Sequence, residues 1–347
     1  MGLRTRVEAL SARRPLWALG IVAVLLVAIA LLDHFTGLFH LTMLYVVPIV
    51  VATYIFGIAA GFATATVALI EIAITHVNTP NALLDFATDL VLFVFVAVVI
   101  EGMRIQLSTI RALEDRRNQE LEIARQVQNG IVSPAPFDER FETACVLEFA
   151  REVGGDYYRF DRLGDVMLVF VADISGKSVA AALFAMLLDQ AIEDGLAEYE
   201  SLVPLAESMN RRMFAAMPSN MFVTAVIAAI DDHRLTYLNC GHVRPLFYDA
   251  DSGETFELTD GGSIPLGVHE TLHAETATRS FSRGDTVLIC SDGVTESQSI
   301  ARRPDALMTL FSRSVGHGPQ VLAARVADLA KLDGQTDDIT VISVRRR

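Results

Sequence analysis

Val166-Met-Leu-Val-Phe-Val-Ala-Asp173-Ile-Ser-Gly176-Lys177 is an apolar run that delivers one aspartate to a glycine-containing turn. Val, Leu and Phe dominate it and a Ser-Gly turn follows at once, the pattern of a buried strand ending at Asp173, with a helix opening beyond. A carboxylate at such a strand end is costly if buried alone and useful if it binds a metal or a substrate. Other aspartates stand in comparable settings: Asp156 in Val153-Gly-Gly-Asp-Tyr-Tyr, Asp292 in Cys290-Ser-Asp-Gly-Val-Thr-Glu, and Asp337 and Asp338 in Thr336-Asp-Asp-Ile-Thr. Apart from Asp156, each adjoins an apolar, strand-like run. The pattern predicts one site assembled from several strand ends.

Around this run the second half of the chain is rich in strands. Strand candidates cover 144–150, 166–173, 221–230, 235–239, 246–249, 286–291 and 339–344, with hairpin turns at Asp231-Asp-His233 and Asp251-Ser-Gly253. Helical spacing of apolar residues covers 179–194, 202–217, 304–315 and 320–331. Hairpin-linked strands with helices grouped elsewhere predict an α+β domain of packed antiparallel sheets flanked by helices, and not a doubly wound parallel sheet. No phosphate loop of nucleotide-binding type is present.

The first half is different. Over the whole chain of 347 residues 52% are hydrophobic and the mean hydropathy is +0.40, and the excess lies within 15–103. Four apolar stretches, 16–32, 41–56, 58–76 and 83–103, approach the ~20 residues that a helix needs to cross the hydrocarbon core. Arg4, Arg6, Arg13 and Arg14 precede the first, while Arg104, Arg111, Arg116 and Arg117 follow the fourth. By the positive-inside rule both ends are cytoplasmic, as an even number of spans requires. Asp33, His34, His40, Glu71, His76, Asp85, Asp89 and Glu101 lie in or beside these spans, and Glu71 is the deepest. Intramembrane charge marks a ligand or proton site, whereas charge at a span end snorkels to water.

Three domains follow: a membrane domain over 1–103, a helical connector over 104–135 and a strand-rich domain over 136–347. Leu107, Ile110 and Leu113, then Leu121, Ala124, Val127 and Ile131, recur at helical spacing in the connector, interrupted at Arg116-Arg117, and suit a dimeric coiled coil that ends near Ser133-Pro-Ala-Pro136. The expected assembly is a homodimer in contact with membrane lipid. A net charge of -14 excludes nucleic acid as the partner. Cys145, Cys240 and Cys290 are far apart, without metal-ligand spacing, and read as reduced core thiols.

Aspartates without His or Cys partners suit hard cations such as Mg²⁺ and Mn²⁺ and disfavour zinc. Two such ions about 3.5–4 Å apart hold and activate a water for in-line attack on a phosphoryl group. Cys290 invites a cysteine-phosphatase reading, but it lies within a strand and lacks an arginine-bearing phosphate loop.

The motifs Val153-Gly-Gly-Asp-Tyr-Tyr, Ala172-Asp-Ile-Ser-Gly-Lys, Ala180-Ala-Ala-Leu, Met221-Phe-Val-Thr, Asn239-Cys-Gly-His-Val-Arg-Pro, Pro265-Leu-Gly, Gly284-Asp, Ser291-Asp-Gly-Val-Thr-Glu and Thr336-Asp-Asp-Ile-Thr follow in this order, and the resemblance they carry covers about residues 120–347. They resemble the sporulation stage II E, sigma-factor-regulating branch of the metal-dependent protein phosphatase 2C superfamily. The resemblance implies two packed antiparallel sheets flanked by helices, two Mn²⁺ or Mg²⁺ ions, and hydrolysis of phosphoserine or phosphothreonine on a protein, a small anti-sigma-factor antagonist. It implies that Asp156 and Asp173 bridge the ions, that the Ile174 carbonyl is a further ligand, that Asp292 and Asp337 hold the second ion, and that Arg151 binds phosphate. Asp338 then caps or supports.

Arg159 departs from the family, which usually has an acid there, so a carboxylate supporting the metals is expected to be missing. Ser178 replaces a common glycine after Lys177. The segment Leu121-Glu-Ile-Ala-Arg-Gln-Val-Gln128 resembles the branch's regulatory helix, and together with 179–217 it suits a switch that orders the metal ligands. The reading is thus a phosphatase anchored in the inner membrane by several spans with its catalytic domain in the cytoplasm. Two others stand beside it: a phosphoprotein-binding module with weak or no turnover, and a diguanylate cyclase suggested by Gly154-Gly-Asp. The cyclase lacks its second acid, Tyr157 standing there, and leaves Asp292 and Asp337 without a role.

Overall fold

In the computed structural model, residues 16–36, 41–76, 82–132, 134, 136–176, 179–303, 305–332 and 334–347 are described. Arg4, Arg6, Arg13, Arg14, His40, Ser133, Ala135, Lys177 and Ser178, all used above, lie outside them, as does the side chain of His76. The chain forms two compact units, divided between Arg117 and Asn118.

The first unit is helical. Helix α1 covers Leu16–Thr36, a 3₁₀ turn Leu41–Tyr45 leads into α2, Val46–Phe56, and α3 covers Ile58–His76. Helix α4 runs unbroken over Ala82–Ile131 and crosses the division between the units. Trp17–Phe35, Ile58–Thr75 and the start of Ala82–Gln128 are long and apolar enough to cross a membrane. The second predicted stretch is shorter, because the 3₁₀ turn takes up its first residues and α2 stops at Gly57, whose φ of 93° no other residue adopts easily. Gly57 alone joins α2 to α3, and these helices touch so closely that a Cβ on Gly61 would lie 2.0 Å from Thr53 Oγ1. Tyr45 donates its hydroxyl to Glu71, so the deepest acid is satisfied from within the bundle. Asp33 is also buried, at 2% exposure, rather than snorkelling from the end of its helix. At the far end of α4's apolar stretch Arg104 donates to Glu101 at 2.9 Å.

The second unit is a four-layer α/β/β/α sandwich. Its strands are β1 Phe141–Glu148, β2 Asp156–Leu163, β3 Val166–Ile174, β4 Val223–Ile230, β5 Arg234–Cys240, β6 Leu246–Tyr248, β7 Thr255–Glu257, β8 Gly262–Ser263, β9 Ala277–Ser280, β10 Thr286–Cys290 and β11 Ile339–Arg346. One sheet has the order β1-β11-β10-β6-β7; the other is β2-β3-β4-β5-β8, with β9 also on β5. Pairings are antiparallel except for two residues of β5 against β8. Helices α5 Val179–Leu196 and α6 Leu202–Ala216 follow β3. The short α7 Asp292–Thr295 and α8 Gln298–Ala301, then α9 Ala306–Ser314 and α10 Pro319–Lys331, lie between β10 and β11.

Alternation along the strands produces three cores. Tyr158, Phe160, Val169, Val171, Val226 and Ala228 meet Val287, Ile289, Ile342 and Val344 between the sheets. The opposite faces take the helices: Leu168, Phe170 and Ile227 against α5 and α6, and Leu288, Cys290 and Val341 against α9 and α10. This two-sided burial explains why 166–173 reads as a continuous apolar run.

Some boundaries differ from the sequence expectation. The first strand begins at Phe141 rather than Ala144, and β2 was not expected as a strand at all. In Asp156-Tyr-Tyr-Arg-Phe-Asp-Arg-Leu the charges hide an aromatic strand. Its Arg159 is buried by carboxylates of its own strand and of α5, which conceals the alternation on which strand recognition rests. Strands β7 to β9 are too short to leave a periodic signal.

Candidate metal centre

At one end of the inter-sheet core the apolar faces give way to a polar row. Asp156, the first residue of β2, pairs in register with Asp173 near the end of β3, and Asp173 pairs with Thr224 of β4. Directly opposed residues share a face with Cβ atoms ~4.5–5.5 Å apart, and like charges in that relation repel. From the other sheet, Thr340 of β11 donates to Asp156 Oδ2 at 2.5 Å. Asp156 is 2% exposed. Burial first, then the Asp173 charge, pushes its carboxyl well above the usual carboxylate range, opposed by the Thr340 and Ser291 hydroxyls.

The second group of acids arrives on the neighbouring sheet. Ser291 ties its strands together at this end: its N–H donates to the Thr340 carbonyl at 3.0 Å, its hydroxyl to the Asp338 carbonyl at 3.2 Å, and Thr340 N–H donates back to Ser291 Oγ at 2.9 Å. Asp292 follows and opens α7, and the chain there runs against the Asp337-Asp338 backbone. A Cβ on Gly293 would lie 1.9 Å from the Asp338 carbonyl oxygen, so only glycine fits beside Asp292.

Asp337 and Asp338 have separate duties. Asp338 is 9% exposed and turns inward, accepting from Ala150 N–H at Oδ1 and Gly155 N–H at Oδ2, both at 2.8 Å. It thereby fixes the loop that presents Asp156, and burial holds its carboxyl above the ordinary range. Asp337 is half-buried; its Oδ1 accepts from the Asp338 N–H at 3.0 Å. Gly154 and Gly155 are required by close approach, since a Cβ on Gly154 would lie 2.1 Å from Asp338 Oδ2 and one on Gly155 2.4 Å from the Ile174 carbonyl oxygen. That carbonyl, beside Asp173, is the backbone ligand that the resemblance implies.

The donor set fits a hard divalent cation: carboxylates and a backbone carbonyl, with a like-charge pair that a cation would neutralise. Among the described residues no three His, Cys, Asp or Glu side chains come together as a group that could hold a metal ion. The acids are instead paired in strands and turns, the arrangement that suits an ion retaining several waters. Arg151 lies exposed on the loop between β1 and β2. Cys290 is buried, which pushes its thiol up to about 12 and removes it as a nucleophile.

Arg159 does not stand beside the aspartates. It lies on the face of β2 opposite Asp156 and binds Asp161, Asp189 at 2.9 Å and Glu193, while Tyr157 donates to Asp189 at 2.5 Å. Its position is that of a clamp between β2 and α5. The residues that sequence reasoning passed over are Thr340, Ser291 and Asn239 with His242. Their signal is a short polar side chain inside a motif at the end of an apolar strand. Asn239 brackets His242, accepting its N–H at 2.7 Å and donating to its carbonyl at 3.0 Å.

The sequence model of the Stage II sporulation protein E (SpoIIE) family matches residues 164–347. The chain is 29% identical over 250 residues to the phosphoserine phosphatase RsbU of Bacillus subtilis (strain 168), across 69% of this chain and 73% of that protein. The SiaA-PP2C domain of Pseudomonas aeruginosa superposes with a TM-score of 0.57 at 21% identity, covering 67% of this chain and 98% of that one. The PP2C phosphatase domain with a fragment of the regulatory domain of the cell fate determinant SpoIIE from Bacillus subtilis superposes at 0.52 and 18% identity, covering 60% and 64%. At these identities the structural likeness is one of fold. The family match takes in more than half of the chain, including Asp173, Asp292 and Asp337, and places this protein in the SpoIIE family with a PP2C-like α+β domain.

Proposed function

We propose that the chain is a metal-dependent protein serine/threonine phosphatase held at the inner membrane by its N-terminal helices, with the strand-rich unit in the cytoplasm. The observation that carries the reading is the register of β2 and β3, which sets Asp156 against Asp173 at the open end of the sandwich, with Asp292 and Asp337 delivered by the facing sheet. Asp156, Asp173, the Ile174 carbonyl, Asp292 and Asp337 would hold two Mn²⁺ or Mg²⁺ ions. When bound, such ions supply charge to a phosphoryl group and lower the pKa of water. The chain's own residues hold and orient: Thr340 and Ser291 fix Asp156, Asp338 fixes the loop before it, and Arg151 takes the phosphate. RsbU, at 29% identity, is a phosphoserine phosphatase. With the resemblance to the sigma-factor-regulating branch it supports a small phosphorylated anti-sigma-factor antagonist as the substrate. Three helices of sufficient length and apolarity support the membrane anchor.

The test is phosphate release from p-nitrophenyl phosphate and from a phosphoserine protein by residues 118–347 and by the full chain in detergent, with and without Mn²⁺. Metal-dependent turnover lost in Asp173→Ala and Asp292→Ala is the expected result. Turnover independent of metal, or unchanged in both variants, would refute the reading; metal and phosphoprotein binding without turnover would make the protein a binding module.

A further inference from the structure

His242 lies where the chain crosses from one sheet to the other, between β5 and β6. Its backbone is fixed by Asn239, and the preceding Gly241, at φ 68°, packs so tightly that a Cβ there would lie 2.6 Å from Pro265 Cγ. The ring is 8% exposed, and burial pushes its pKa down to about 4. Its Nδ1 lies 2.8 Å from Thr224 Oγ1. Thr224 is the residue directly opposite Asp173. On its other side the ring faces the backbone of Cys290, close enough to favour a proton on the ring, though Nε2 completes no hydrogen bond. Cys290 is the strand end from which Ser291 and Asp292 depart. A buried polar atom that completes no hydrogen bond calls for an explanation beyond packing.

We propose that His242 is a positioning residue: a crosspiece, anchored through Thr224 to the Asp156–Asp173 row and set against the Cys290 backbone of the facing sheet, that fixes the spacing between the two halves of the metal centre. This rests on the metal-dependent reading above. Leucine would fill the same space, so packing alone does not demand an imidazole here. Thr224 and Cys290 belong to different sheets, and they lie next to Asp173 and Asp292, one acid from each half. The polar ring therefore joins the two elements whose separation the ions must match.

The experiment measures Mn²⁺ binding to the full-length protein in detergent, by electron paramagnetic resonance of free Mn²⁺, beside the Mn²⁺ dependence of p-nitrophenyl phosphate hydrolysis. His242→Leu and Thr224→Val are expected to weaken Mn²⁺ binding about tenfold, the effect typical of residues that orient metal ligands. Thr224→Ser is expected to restore wild-type binding. The double variant should be no worse than His242→Leu alone, since both act through one contact. A lower melting temperature with unchanged Mn²⁺ binding would assign His242 to packing and overturn the proposal, as would equal losses in Thr224→Ser and Thr224→Val. The Thr224 pair decides the matter even where His242→Leu does not fold. Mn²⁺ binding without turnover in the wild type would sink the phosphatase reading and still test this one; no Mn²⁺ binding in the wild type would overturn this one.

Discussion

Thr340 Oγ1 and Asp156 Oδ2 stand 2.5 Å apart, a hydrogen bond from a strand of one sheet to the first residue of a strand in the other. Both residues are almost fully buried. The carboxylate is therefore held by a hydroxyl where no water replaces it, next to a second carboxylate that repels it. Such a site is unfavourable without a cation and well prepared for one.

Two consequences can be measured. Thr340→Val removes the donor at nearly constant volume and should raise the Mn²⁺ concentration for half-maximal phosphatase activity by about tenfold. Thr340→Ser should keep the wild-type dependence. Asp156→Asn should raise the melting temperature of the metal-free protein, because it removes a buried like charge, and should abolish the further rise on adding Mn²⁺. The sign follows from the raised carboxyl: in the metal-free fold ionisation is penalised at neutral pH, and the penalty shrinks as pH falls from the raised folded pKa toward the ordinary carboxylate range, below which it is gone.

Asp337 and Asp338 separate cleanly. Asp338→Asn leaves one of two N–H groups, that of exposed Ala150 or that of buried Gly155, without its acceptor and should cost about 1–3 kcal/mol of stability where Gly155 is the one left unpaired. Asp337→Asn loses one acceptor atom's charge on a half-buried residue and should leave the melting temperature of metal-free 118–347 nearly unchanged while metal-dependent turnover falls. Thermal melts without metal and Mn²⁺ titrations with p-nitrophenyl phosphate, run on both variants, read the two effects independently. Equal behaviour of the pair would refute the division of labour.

The fold was legible where burial is uniform. The run 166–173 gave its strand within a residue, and 179–194 and 320–331 gave their helices, because apolar periodicity survives when one environment covers a whole face. It was not legible at β2, where half-buried Arg159 pairs with Asp161 of its own strand and with Asp189 and Glu193 of α5, a tertiary arrangement that no local pattern announces. For the same reason Arg159 reads in the sequence as a lost carboxylate at the metals, whereas its side chain serves the opposite face of the strand. Asp173, Asp292 and Asp337 read in the sequence as acids beside apolar strands, whereas Asp156 is marked there only by its Gly-Gly turn. Thr340, Ser291 and His242 were not legible, since a hydroxyl or imidazole gains its meaning only from the strand that faces it.

His242 gives the pH dependence a definite sign. Its folded pKa is lowered to about 4 against an ordinary 6.5, so the fold retains its stability above pH 6.5 and loses it as pH falls toward 4. The unfolded chain takes up the proton first over that window. A shift of this size corresponds to a loss on the order of 3 kcal/mol. Urea unfolding of residues 118–347 between pH 7.5 and 5, compared with His242→Asn, isolates the contribution because the carboxylates are common to both proteins. The wild type should lose more stability than the variant on acidification; parallel curves would show that the ring is not held neutral by the fold.

Gln128, in the last turn of the long helix α4, is 2% exposed and clamps both polar groups of one glycine: its Nε2 donates to the Gly154 carbonyl at 2.8 Å and its Oε1 accepts the Gly154 N–H at 3.3 Å. Gly154 is also the residue whose Cα must pass Asp338, and Asp156 follows two positions later. A displacement of the helix end therefore acts directly on the loop that presents the first aspartate. Gln128→Leu keeps a side chain of similar bulk and removes both bonds, leaving two buried backbone groups unpaired at about 1–3 kcal/mol each. The expected result is a weaker Mn²⁺ dependence of activity in the full chain reconstituted in lipid, together with loss of sensitivity to the helix upstream. In the wild type, inserting or deleting one residue within 104–117 rotates the helix by about 100° per residue and should change activity. In Gln128→Leu the same insertions should have no further effect. Activity that is unchanged across the insertion series in the wild type would show that the clamp holds the loop without transmitting anything to it.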